Sequence, residues 1–256
     1  GETNKLVKLT KQISKNFIPS EYDAVVSAGE QISCSLLAGS LNDKGYLSRS
    51  WFGWQVPIIT EGNYSHARIV NVVKKNILKF LEKGGVPIIA GFQGINSEKR
   101  ITTIGRGGSD ASAIMIAKFF KAVKCIIYTD VEGVYTTDPN LFPKAKKIKK
   151  ISYEEMLEMA SLGTKVMQPH SIQDARLNRI DIEVKSSFKK TSGSLITKRK
   201  NVSAKNIIRG VSFTKNDSKI TLLGVKDRPG VAASIFEPLF KNSINVDMVV
   251  QNISSN

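Results

Sequence analysis

Short apolar runs alternate along the chain with longer stretches in which apolar positions recur every three or four residues. Over residues 4–17, Leu6, Leu9, Ile13 and Phe17 predict an amphipathic helix that Pro19 closes. Ala24-Val25-Val26 predicts a strand running into Ser27-Ala28-Gly29-Glu30, with a helix from there through Leu41 and Gly45 beyond its end. Residues 51–60 are mixed and aromatic, which predicts a β-rich excursion. Val73, Ile77 and Leu81 share one stripe of a helix over 69–82, stopped by Gly84-Gly85. A buried strand is expected at 86–90, ending in Gly91-Phe92-Gln93-Gly94. Residues 109–123 are apolar nearly all round apart from a stripe of Lys118, Lys121 and Lys124, the pattern of a helix packed on a sheet. A short buried strand follows at 125–128. Ser152 and Glu155 have capping-box spacing and start a helix with Tyr153, Met156, Leu157 and Ala160 on one face, which Gly163 ends. Pro169 interrupts the next stretch, and 180–184 alternates as a strand. The alternation predicts an α/β fold with a largely parallel sheet sandwiched by helices.

The pattern changes after residue 190. Residues 191–205 are polar, small and basic and read as a linker, with 199–205 dividing a first domain, 1–198, from a second, 206–256. In the second, a strand at 220–225, a turn at Asp227-Arg228-Pro229-Gly230, a helix at Val231–Lys241 and a strand at 246–250 form the start of a βαβ unit. So small a unit buries little alone and needs further strands or a partner.

Composition narrows the class. The 256 residues are 41% hydrophobic and 23% charged, ordinary values for a globular protein of one or two domains. The formal charge of +16 raises nucleic-acid binding. The basic clusters, Lys144 to Lys150 and Lys198-Arg199-Lys200, carry no interleaved aromatics and no nucleic-acid motif, so a lysine-rich surface attracting anionic substrates is the better reading. Cys34 and Cys125 lie in apolar stretches without metal-ligand spacing, as core thiols of a cytoplasmic protein do, and no metal site is expected. No apolar run is long enough for a membrane span. Trp51, Phe52 and Trp54 read as core rather than a ligand box, His66 has no chemical partner in the sequence, and His170 reads as structural.

The chemistry concentrates in ITTIGRGGSDASAIMIAKFFKAVKCIIYTDVEGVYTTDP, residues 101–139. Gly105-Arg106-Gly107-Gly108-Ser109-Asp110 is a glycine-rich bend feeding a helix that Ser109 or Asp110 can cap. Such a bend offers backbone N–H groups to phosphate or carboxylate. Thr129-Asp130 closes the following strand at its C-terminal end, where open α/β sheets bind ligands. Glu30 is either a first-turn acid or an acceptor for an ammonium group; Tyr135 is either a strand-face residue or a ring beside a nucleotide.

These strings, with Gly1-Glu2-Thr3-Asn4, Ser27-Ala28-Gly29-Glu30, Ala90-Gly91-Phe92-Gln93-Gly94 and Ser161-Leu162-Gly163-Thr164-Lys165-Val166, resemble the aspartate kinases of the amino-acid kinase family. Asp227-Arg228-Pro229-Gly230-Val231 and Asn245-Val246-Asp247 resemble that family's C-terminal ACT regulatory domain. The resemblance implies transfer of the γ-phosphoryl of ATP, with Mg²⁺, to the β-carboxylate of L-aspartate, the first step toward lysine, threonine and methionine. It implies catalytic roles for Asp110 and Lys165, with Asp110 holding phosphate-contacting lysines. Thr3, Glu30, Arg106, Gly107, Gly108 and Ser109 would bind substrate; Thr129, Asp130, Tyr135, Asp138, Pro139, Asn140 and Lys165 would bind ATP. The family usually has arginine where this chain has Asn140. Asp227, Arg228, Pro229, Gly230, Val231, Asn245 and Asp247 would bind an amino-acid effector, lysine or threonine, in a homo-oligomer paired through the ACT region. The family also carries a Lys-x-Gly-Gly loop upstream of Gly-x-Thr, so a chain opening on Gly1 is expected to be an internal piece. Rival readings are another amino-acid kinase of this fold and a non-catalytic ACT sensor.

Overall fold

The computed structural model describes residues 2–164 and 166–198, and beyond them 208, 210–213, 218, 220–225, 228–242, 244, 246 and 249. The chain divides into two compact units, Gly1–Thr214 and Lys215–Asn256.

The first unit opens with helices α1 (Glu2–Ile13) and α2 (Pro19–Asp43). Pro19 does not merely close α1; it starts α2, where a missing N–H and a preset φ cost nothing. The strand expected at 24–26 is therefore helical. An apolar triplet fits either period, and what decides is the buried stripe Asp23, Val26, Ser27, Cys34 and Ala38, which recurs at helical spacing. Glu30 consequently lies inside a helix, not at a strand-to-helix junction.

Strands β1 (Ser48–Trp51), β2 (Ile58–Glu61) and β3 (Arg68–Val72) follow, then α3 (Lys75–Glu82), β4 (Val86–Ile89), β5 (Gln93–Ile95) and β6 (Ile101–Thr103). The helix expected over 69–82 is helical only in its second half. Its β-branched opening pairs with β2, through a bulge at Ile59/Thr60. Trp51 is core, edge-on to Phe80, whereas Trp54, expected to be core with it, and Val86 of β4 are exposed.

Next come α4 (Gly108–Phe119), β7 (Cys125–Thr129), β8 (Lys150–Ser152), α5 (Tyr153–Ser161), α6 (Pro169–Asn178), β9 (Ile182–Ser186) and β10 (Ser194–Thr197). The capping box at Ser152 and Glu155 forms as expected. Pro169, like Pro19, opens a helix. β10 falls inside the stretch read as linker, while 199–205 lies outside the described residues.

Helices and strands alternate as an α/β fold requires, and four of the seven strand pairings among the described residues are parallel. The strands are divided among three sheets rather than one: β1-β4, β3-β2-β5-β6 and β7-β9-β10-β8. Two apolar clusters result, one around Ile58, Ile69, Val72 and Ile77, the other around Ile151, Met156, Ile172, Ile182 and Ile196. Helix α4 lies between them, with Ile114 and Ala117 in the second cluster and Met115, Ile116 and Phe119 against the first. That position explains why its sequence is apolar nearly all round.

In the second unit, helix α7 (Val231–Lys241) forms where expected behind Gly230, whose φ is +89°. It has no buried residue, and no strand forms at 220–225. A strand needs a partner to pair with, and the described residues offer none.

Candidate functional site

The glycine bend is built by close approach from three sides. Gly105 has φ +84°, and a Cβ there would lie 2.8 Å from the Ser65 carbonyl oxygen and 3.3 Å from His66 Nδ1. Gly107 has φ +71° and would meet Gln168 Cγ at 2.5 Å. Gly108 would meet Phe92 Cδ2 at 2.7 Å. Gly107 itself takes the N-cap position of α4, without a side-chain cap, so neither Ser109 nor Asp110 caps that helix. The Gly108 N–H donates to the Gly105 carbonyl at 3.0 Å and the Ala111 N–H to the Gly107 carbonyl at 3.1 Å, which leaves the first-turn N–H groups of Ser109 and Asp110 without an intrahelical acceptor.

Ser109 instead donates its hydroxyl to Glu30 Oε1 at 3.0 Å, bridging α4 to α2 across 79 positions of sequence. Thr3 reaches the same place, because α1 crosses α2 at Gly29: a Cβ on Gly29 would lie 3.5 Å from both the backbone nitrogen and Oγ1 of Thr3. Three residues expected to bind substrate, Thr3, Glu30 and Ser109, are thus gathered around the bend.

Arg106 is exposed and lines a cleft of about 800 Å³ with His66, Arg68, Lys118, Gln168, His170 and Asp174. No hydrogen bond or ion pair joins it to Glu30 among the described residues. His66 and His170, the latter read as structural, therefore both flank the bend. Asp110 is half-buried; burial pushes its carboxyl above the usual range, and His170 nearby pulls it partly back. Burial raises the Cys125 thiol to about 11, with the Asp110 charge adding to it.

The second half of the predicted site lies at the C-terminal end of β7. Thr129 donates its hydroxyl to Asp130 Oδ1 at 3.0 Å, and its carbonyl accepts from the Ser187 N–H at 2.8 Å. Tyr135 is half-buried and forms an isolated bridge with Lys147. Asp138 Oδ1 accepts the Asn140 N–H at 2.9 Å, closing the turn that contains Pro139. Ser194, unremarked in the sequence, pins this loop by accepting the Val134 N–H at 2.8 Å. Lys165 lies outside the described residues. Its neighbour Thr164 shares a 2.8 Å hydroxyl hydrogen bond with Ser212, and the Val211 N–H donates to the Thr136 carbonyl at 2.7 Å. In the second unit, Asp227, Asn245 and Asp247 lie outside the described residues; Arg228, Pro229, Gly230 and Val231 form the turn into α7.

Sequence reasoning missed one residue of consequence. Asp23, fully buried on α2, accepts the Ser65 and Thr103 N–H groups on Oδ2 at 2.8 and 2.7 Å and their hydroxyls on Oδ1 at 2.8 and 2.9 Å. The available signal is an acid at an inward position of an otherwise apolar and small-residue helical stripe, which a strand over 24–26 conceals.

A mixed α/β unit with a glycine bend at a helix N-terminus, an acid from a second helix and a polar loop at a strand's end is an arrangement suited to an anionic ligand. Residues 1–186 match the model of the amino acid kinase family, and the chain belongs to that family. Residues 220–256 match an ACT domain model. The chain is 45% identical over 255 residues to an aspartate kinase of Pseudomonas putida, covering 99% of this chain and 62% of that protein. It is 42% identical over 253 residues to an aspartokinase of Geobacillus stearothermophilus, with the same coverage of 99% and 62%. The chain thus spans about 62% of the length of these curated relatives. Among solved structures it resembles Escherichia coli aspartokinase III in complex with aspartate and ADP, at TM-score 0.73 and 26% identity over 97% of this chain and 57% of that one. The same enzyme in complex with lysine and aspartate matches with TM-score 0.73 over 98% of this chain and 58% of that one.

Proposed function

We propose that the protein is an aspartate kinase, transferring the γ-phosphoryl of MgATP to the β-carboxylate of L-aspartate. The observation that carries this reading is the Ser109–Glu30 hydrogen bond, which sets an acid beside a glycine bend and a helix N-terminus. An α-amino acid needs an anion for its ammonium group and a cation or N–H cluster for its carboxylate. Glu30 supplies the first. Arg106, with the N–H groups of the bend, supplies the second. The names of the relatives point to the same substrate.

In the reaction, an oxygen of the substrate β-carboxylate attacks the γ-phosphorus while the bond to the ADP oxygen breaks. The nucleophile is already ionised, so no general base is required, and the protein's work is alignment and charge stabilisation. The bend's N–H groups and Lys165 stabilise the transferring oxygens. Asp110, half-buried and without an ion-pair partner among the described residues, positions lysine at that place. Thr129, Asp130, Tyr135, Asp138, Pro139 and Asn140 form the nucleotide side. Mg²⁺ would enter as part of the MgATP substrate. No cluster of three or more acidic, histidine or cysteine side chains able to hold a metal occurs among the described residues, and phosphate and water oxygens can satisfy Mg²⁺ without one. The turn 227–231 takes an amino-acid effector, and ACT units of two copies pair. α7 supports this pairing, since its Phe240 is 84% exposed. No helix among the described residues is long and apolar enough to cross a membrane, and two free buried cysteines fit the reducing cytoplasm.

The test is an acyl-phosphate assay with hydroxylamine trapping on the intact encoded protein. Arg106→Ala should cost about 2–4 kcal/mol in kcat/KM for aspartate, with a much smaller effect on ATP. An equal loss for both substrates would remove Arg106 as the carboxylate clamp, and no aspartate-dependent trapping by the wild type would refute the reading.

A further inference from the structure

We infer that Asp23 is a positioning residue that sets Glu30 and the glycine bend in register, an inference that rests on the functional reading above for its kinetic part. Its carboxylate is fully buried and accepts four hydrogen bonds, two from Ser65 and two from Thr103. No cation accompanies it among the described residues; neutral donors alone satisfy it. Both segments it holds border the bend. Thr103 ends β6 two residues before Gly105. Ser65 is held at φ +66°, and its carbonyl oxygen is what a Cβ on Gly105 would strike at 2.8 Å. Thr103 also accepts the Ala67 N–H at 3.0 Å, so the Ser65 turn and the end of β6 move as one piece.

Asp23 lies seven residues, about two helical turns, before Glu30 on α2. A rigid helix carries any shift at Asp23 to Glu30. Further polar ties from the same stripe support the register: Ser27 offers its carbonyl to Gln93 Nε2 at 3.2 Å, and Gln31 Nε2 donates to Gln93 Oε1 at 3.3 Å. The substrate's ammonium and carboxylate partners come from different elements, α2 and the bend. Asp23 is the side chain that bonds one to the strand end and turn that set the other.

The bond pattern makes a specific demand. Oδ2 receives only backbone N–H groups, whereas Oδ1 receives only hydroxyls, which can turn and accept instead. Asparagine with its amide nitrogen in the Oδ1 place preserves all four contacts. Alanine leaves two N–H and two O–H groups without this acceptor, the Thr103 pair buried and the Ser65 pair half-buried.

The experiment measures hydrogen exchange over residues 103–112 and KM for aspartate and MgATP on the intact encoded protein. Asp23→Asn should stay near wild type. In Asp23→Ala, exchange in 103–112 should accelerate and the aspartate KM should rise about tenfold, with the ATP KM within about twofold. Thr103→Val removes one bond at constant shape and should raise the aspartate KM about threefold; it decides the matter if Asp23→Ala does not fold. Unchanged exchange over 103–112 in a folded variant, or a parallel rise of both KM values, overturns the inference. A wild type that does not phosphorylate aspartate would overturn the functional reading, and the exchange measurement would still decide the positioning role.

Discussion

Gly107→Ala separates two costs that glycine bends usually combine. Gly107 has φ +71°, and Gly84, behind α3, has φ +73°, so both hold a conformation that costs an L-residue about 1–2 kcal/mol. Their surroundings differ. A Cβ on Gly84 would meet nothing within 4 Å, whereas one on Gly107 would lie 2.5 Å from Gln168 Cγ and 3.0 Å from Gln168 Cβ. Gln168 Cβ cannot swing away, because Gln168 is the N-cap of α6 and its backbone is set by that helix. Relieving the overlap should cost a further ~1–3 kcal/mol. Gly84→Ala should therefore lose about 1–2 kcal/mol and Gly107→Ala about 2–5 kcal/mol. Both tryptophans of the chain, Trp51 and Trp54, lie in the first unit, so urea unfolding followed by their fluorescence reports on it alone. Gln168→Gly in the Gly107→Ala background should recover the steric part but not the dihedral part, with glycine at that N-cap costing only a few tenths. Equal losses at Gly84 and Gly107, or no recovery in the double variant, would refute the claim that α6 clamps the bend.

Asp110→Asn should separate stability from catalysis. Burial raises the folded carboxyl above its unfolded value, so the wild type loses stability as pH rises from about 3.9 through the folded value. The amide variant should melt higher at neutral pH, the gap closing in acid, while acyl-phosphate formation is lost; a pH-independent gap would refute the assignment. Lysine or threonine should bind the intact protein through the ACT unit and weaken aspartate binding reciprocally, by about 1–3 kcal/mol. Calorimetry showing neither amino acid binding at millimolar concentration would reduce that unit to an assembly module.

What the sequence determined by itself was whatever depends on a residue's own backbone or on neighbours within one turn. The capping box at Ser152 and Glu155 needs only three residues of separation, and it forms. The left-handed Gly105 and Gly107 belong to a bend that only glycine closes without strain, and the bend is there. The apolar girdle of 109–123 announced a helix with no solvent face to spare. Short apolar runs determined much less. Ala24-Val25-Val26 suits a strand locally and is helical because its flanking positions, Asp23 and Ser27, find polar partners on β5 and β6 more than sixty positions away. Residues 69–72 suit a helix stripe and form a strand because β2 offers an edge to pair with. Glu30 was legible as a candidate, but its meeting with Ser109 arises from α2 packing against the sheet that ends in the bend. Asp23 was illegible for the same reason. An acid surrounded in sequence by tyrosine, alanine and valine shows no donors, and its four donors arrive only when two distant segments fold over it. Local dihedral preference is written residue by residue, whereas burial and hydrogen-bond satisfaction depend on which distant groups share a space, and that is settled by the tertiary structure.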